Sequence, residues 1–101
     1  MMGTNYKVHT QVTLETVAGR HFLIAYGEAR GNLPYLREVN ETGAYYWQMA
    51  EAGTDTEDML TAAAEVYDAL PEILEKGLRF FLRELIDEGY LLVENCGLKE
   101  S

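Results

Sequence analysis

Hydrophobic positions in the first third of the chain alternate or run continuously, and further along they recur at spacings of three and four. From Val12 to Val17 the sequence VTLETV alternates in part between apolar and polar residues. Ala18-Gly19-Arg20 can turn the chain into HFLIAY, an apolar run of strand length, so a β-hairpin is predicted. GEARGNLP then concentrates Gly, Asn and Pro as loop punctuation, and YLREV follows as a short third strand. Its alternation sets Tyr35, Arg37 and Val39 on one face and Leu36 and Glu38 on the other.

After Asn40 the period becomes helical. A first helix is predicted from about Glu41 to Ala52, with Asn40 or Thr42 able to cap it and Glu41 favourably placed at the positive end of its dipole. Gly53 ends it. A second helix opens on Thr54-Asp55-Thr56 and carries Met59, Leu60, Ala63, Val66, Tyr67 and Leu70 at helical spacing. Pro71 suits the first turn of a third helix, which reaches about Glu88, stops at Gly89 and gives way to YLLV, a fourth strand or the start of a wing. The order β-β-β-α-α-α-β predicts an α+β fold: a winged helix-turn-helix-like arrangement with an N-terminal three-stranded antiparallel sheet, three helices and a short C-terminal strand. Residues 1–101 are expected to form a single domain with its core at about 12–93 and mobile tails at residues 1–7 and 95–101.

The third helix is the most strongly patterned. Ile73, Leu74, Gly77, Leu78, Phe81, Leu82 and Leu85 fall on one arc of about 180°, the broad stripe of a core-facing helix. Lys76, Arg79 and Arg83 fall together on the opposite side, and Phe80 lies at the border near Ile73. Two readings follow. The basic row is either a solvated face whose intrahelical partners are Glu72, Glu75, Glu84 and Asp87, or the edge of a groove for an acidic or amphipathic peptide. Trp47, with Tyr45, Tyr46 and Met49 around it, reads as core packing in preference to an aromatic binding box.

Charge narrows the choice of partner. Seventeen acidic residues against eight basic ones give a net charge of -9, which repels phosphate backbones and anionic membranes. Nucleic acid and membrane partners are therefore not expected. A winged-helix DNA-binding regulator, the alternative reading, would place the third helix in the major groove, where its interleaved carboxylates oppose the phosphates. Cys96 is the lone cysteine, the N-terminus MMGTNYKVHTQ has no apolar core of a signal peptide, and no stretch approaches the roughly 18 apolar residues of a membrane span. A reducing, cytoplasmic setting is expected. His9, His21 and Cys96 have no metal-ligand spacing, and no nucleophile triad, phosphate loop, dinucleotide fingerprint or Cys-x-x-Cys motif occurs. Neither catalysis nor a cofactor is expected.

The junction VNETGAYYW, residues 39–47, resembles the Leu/Val-Asn-x-Thr-Gly/Ala-x-x-x-Trp/Leu signature of the PqqD family, named for pyrroloquinoline quinone synthesis protein D. Gly53, Thr56 and Tyr67 resemble the family's positions around its second helix. LRFFLRELIDEGYLLV is similar to its closing pattern at Leu78, Phe81, Leu82, Leu85, Gly89, Leu91 and Leu92, and VAGRHFLIAYGEA to its glycine-punctuated hairpin. The resemblance covers roughly residues 12–93.

The resemblance implies a noncatalytic recognition element for ribosomally made, post-translationally modified peptides. Such a protein holds a precursor's leader segment and presents it to a radical SAM or other peptide-modifying enzyme. The leader is expected to add as a strand against the third strand, with side chains entering the cleft beside the third helix. On this sequence that assigns peptide contacts to Tyr35, Leu36, Arg37, Glu38 and Val39 and, across the cleft, to Ile73, Lys76, Arg79, Phe80 and Arg83. Physically, an exposed strand edge accepts a partner strand. The same edge also allows a self-associating module, in which a second copy pairs with it as a homodimer.

Overall fold

The structure is a computed structural model and describes residues 5–95. Strands β2 (Val12–Val17) and β3 (Arg20–Ala25) form the predicted hairpin. Ala18 and Gly19, with φ of 54° and 78°, turn it with the left-handed backbone of primed two-residue loops, whose twist matches that of the flanking strands. A 3-10 turn over Gly27–Gly31 leads to β4 (Leu36–Val39), which pairs antiparallel with β3 from Ile24↔Leu36 to His21↔Val39. The sheet order is β2-β3-β4, so β4 is an edge strand.

Three helices follow: α1 (Glu41–Glu51), α2 (Thr56–Val66) and α3 (Pro71–Glu88). Of the two candidate caps for α1, Asn40 serves: its side chain accepts a 2.7 Å hydrogen bond from the Gly43 N–H. Asp55 does the same for α2, accepting from the Asp58 N–H at 2.9 Å. Pro71 occupies the first turn of α3, and Gly89 closes it at φ 101° with its N–H donating to the carbonyls of Leu85 and Ile86.

Two elements differ from expectation. The apolar spacing of the second helix continues to Leu70, yet α2 stops at Val66 and Tyr67 is extended, at φ -110° and ψ 137°. Pro71 disfavours helical backbone at Leu70, and leaving the helix at Tyr67 sets its ring edge-on to Tyr45 at 5.9 Å. Residues 5–7 and Asn95, expected within mobile tails, belong instead to strands: β1 (Asn5–Val8) pairs antiparallel with β5 (Leu91–Asn95) in a second, two-stranded sheet. That pairing gives the C-terminal strand its partner. Cys96 lies outside the described residues.

The core sits between the larger sheet and the helices, where Leu23, Trp47, Met59 and Leu85 are fully buried. Trp47 is thus a packing residue. Along α3, Leu74, Leu78, Leu82 and Leu85 are buried as predicted, but Gly77 is exposed and Ile73 is 58% exposed. The buried stripe is narrower than the sequence suggests, because the border of the helix at Ile73 and Gly77 faces an opening. Among the described residues, no helix is long and apolar enough to cross a membrane.

Candidate functional site

That opening is a groove of about 420 Å³ between β4 and α3. Arg37, Glu38 and Val39 form its strand side. Asn40, Thr42, Gly43 and Tyr46, at the start of α1, contribute to its lining, and α3 supplies Ile73, Leu74, Gly77, Phe80, Phe81 and Glu84. Strand, cap and helix therefore meet around one depression. The sharp passage from β4 through the Asn40 cap into α1 fixes how these walls stand to one another.

Alternation along β4 divides its side chains as predicted. Val39 is buried and Arg37 turns to α3, where its Nε donates to Glu88 at 2.6 Å and its Nη2 to Glu84 at 3.1 Å. With a side chain 20% exposed, Arg37 ties the strand to the C-terminal half of the helix. Its pKa is raised, first by the hydrogen bond to Glu88. Leu36 is exposed, and Glu38 receives two hydrogen bonds from Arg20, at 2.6 and 2.9 Å, which hold its carboxyl below the usual range. The charges on the strand wall are thus matched by neighbours, and what the groove presents beside them is largely apolar.

Gly43 is required by packing. A Cβ there would stand 2.8 Å from the Phe81 ring, so glycine lets that ring lie against the first turn of α1. The Tyr46 ring lies 6.3 Å from Phe81. Burial raises the pKa of the Tyr46 phenol, and its hydroxyl has no hydrogen-bond partner among the described residues.

Of the ten residues singled out from the sequence, Arg37, Glu38, Val39, Ile73 and Phe80 line the groove, while Tyr35, Leu36, Lys76, Arg79 and Arg83 do not. Tyr35 precedes β4 and is exposed, with the Arg30 guanidinium 4.7 Å from its ring centroid. Arg79 donates to Glu75 one turn back, at 2.7 Å, matching the solvated-face reading for that residue; Lys76 and Arg83 are exposed. Sequence reasoning did not assign Gly43, Tyr46, Leu74, Gly77, Phe81 or Glu84 to the cleft. The available signal was spacing: Ile73, Leu74, Phe80 and Phe81 stand three and four positions either side of Gly77 and must share its face.

The histidines are spent locally. His9 accepts at Nδ1 from the Gln11 N–H at 3.1 Å, and His21 Nδ1 is 2.8 Å from the Thr16 hydroxyl. Among the described residues, no group of three or more His, Cys, Asp or Glu side chains is arranged to hold a metal ion.

These features define an α+β protein with an edge strand beside a helix-lined, mainly apolar groove. The family model described as coenzyme PQQ synthesis protein D (PqqD) matches residues 34–91, more than half of the chain and the segment that builds the groove; the chain belongs to the PqqD family. Among solved structures it is similar to TbiB1 in complex with the TbiA(beta) leader peptide, with a TM-score of 0.70 at 20% identity over 93% of this chain and 99% of that one. It is also similar to lasso peptide synthetase B1 complexed with the leader peptide, with a TM-score of 0.71 at 15% identity over 87% and 98%. At these identities the likeness is one of fold. No curated protein sequence matches the chain.

Proposed function

We propose that this protein is a noncatalytic recognition element that binds the leader segment of a ribosomally made precursor peptide by strand addition to β4 and presents it to a peptide-modifying enzyme. The observation that carries the reading is the edge position of β4 directly beside the groove. Among the described residues, no strand pairs with its outer side. An extended peptide there satisfies the backbone groups of the edge while alternate side chains drop toward α3. Membership of the PqqD family and a fold shared with two proteins solved with leader peptides support it. The same family resemblance makes a radical SAM enzyme our proposed modifying partner.

Magnitudes show what the peptide must bring. A four-residue strand offers only a few ladder bonds, each worth about 1 kcal/mol net. Two or three apolar side chains buried against Ile73, Phe80 and Val39, at roughly 1.5 to 3 kcal/mol each, supply much of the remainder before ordering costs are subtracted. Tyr35 and Leu36 flank or belong to the strand outside the groove walls, and in this proposal they touch the peptide at its margins. Lys76, Arg79 and Arg83 lie outside the walls, and in this proposal they meet carboxylates of leader residues that extend beyond the groove.

Calorimetric titration of the full chain with synthetic leader segments, taken from the precursor peptides encoded beside its gene, tests the reading. Saturable binding in the micromolar range or tighter, about -8 kcal/mol or more favourable, is expected. Absence of binding by every such leader contradicts it.

A further inference from the structure

Glycine in the middle of a helix costs about 0.5 to 1 kcal/mol relative to alanine, so an interior glycine needs a reason. Two structural reasons are seen elsewhere in this protein. Gly89 adopts a left-handed φ of 101°, and Gly43 leaves space for the Phe81 ring. Gly77 has neither. It lies within the 18-residue α3, outside the left-handed region, and a Cβ built on it meets no atom within 4 Å among the described residues. Nothing in the folding of the free protein calls for glycine there.

What its missing side chain leaves is a gap on the groove face of the helix. Ile73, Leu74, Phe80 and Phe81, at i-4, i-3, i+3 and i+4, all line the groove with it. Two of them, Ile73 at 58% and Phe80 at 65% exposure, hold apolar surface open to solvent around that gap. At the Arg37 side of the groove the room is taken by the guanidinium and its bonds to Glu84 and Glu88. A strand added to β4 would direct every second side chain toward α3, as β4 itself directs Arg37 and Val39, at intervals of about 6.6 to 6.8 Å.

We infer that Gly77 sets peptide specificity: it opens a notch that receives one bulky apolar side chain, aromatic or γ-branched, from the strand added to β4. The inference rests on the peptide-binding reading above and adds the class of anchor residue and the position that selects it. A side chain at residue 77 would occupy the notch itself, so the glycine trades helix stability for the depth of one subsite.

The probe is a displayed library of random 15-residue peptides selected on the full wild-type chain, keeping peptides whose binding shifts the amides of Leu36–Val39. Retained peptides should share one Leu, Phe, Tyr or Trp position, and its replacement by Ala should weaken binding about 10- to 100-fold. Gly77→Leu should cause a loss of the same order, and in that variant the anchor replacement should cost nothing further, because notch and anchor act as one unit. Gly77→Ala is the milder variant. It should raise the melting temperature of the free protein yet weaken binding measurably, which a purely structural role would not do. Failure of the wild type to retain any such peptide overturns the peptide-binding reading and this inference with it. Wild-type binding that survives unchanged in both variants leaves the reading standing and overturns the assignment of Gly77.

Discussion

Gly43 and Gly77 both line the groove and are glycine for different reasons. At Gly43 the backbone N–H completes the Asn40 cap while the absent Cβ makes room for Phe81. Gly43→Ala is expected to destabilise the protein by about 1 to 3 kcal/mol, the usual cost of forcing extra volume into a packed contact, as read from urea denaturation. An unchanged midpoint would show that Phe81 swings away freely. The cap was legible in the sequence because Asn before a helical run has a local role, although residues 40 and 42 were both candidates until the bond to Gly43 selected Asn40. The reason for Gly43 was not legible, because Phe81 belongs to another helix and only the fold brings them together. Alternation along YLREV placed Arg37 and Val39 on the same face, but it could not name the partners Glu84 and Glu88 on α3.

Among elements, the relation of β4 to α3 matters most. Arg37 spans them with hydrogen bonds to two carboxylates, half-exposed on the helix side. Exposed ion pairs contribute little, while a mostly covered guanidinium bonded to two partners contributes more. Arg37→Ala should therefore cost about 1 kcal/mol overall and speed amide exchange in Leu36–Val39 more than in α1. Equal acceleration in both would mean that the clamp stabilises the whole fold and not this junction. The helix starts were readable, since Asp55 and Pro71 signal them locally. The end of α2 was misread because Val66, Tyr67 and Leu70 keep helical spacing, whereas the restriction that Pro71 places on Leu70 and the packing of Tyr67 on Tyr45 win. Strand β1 was missed for a related reason: four residues of mixed character carry little signal, and their partner β5 lies at the far end of the chain.

For the whole molecule, the order of elements from β2 to β5 and the α+β class followed from periodicity, and the family resemblance named the cleft. The size of the groove and the exposure of Ile73 and Phe80 did not, because both depend on how far α3 is rotated against the sheet. A charge of -9 makes this an acidic protein, and part of the basic row on α3 is already engaged, with Arg79 on Glu75. The proposed recognition therefore relies on the strand edge and apolar groove more than on charge. The larger sheet has two edges, β2 and β4, but only β4 contributes residues to the groove. That asymmetry supplies an internal control. Hydrogen exchange of the full chain, with and without a leader peptide that binds it, distinguishes the two edges. Strand addition to β4 should slow exchange at Leu36–Val39 with little change at Val12–Val17. Protection of Val12–Val17, or none at Leu36–Val39 in a saturated complex, would contradict it.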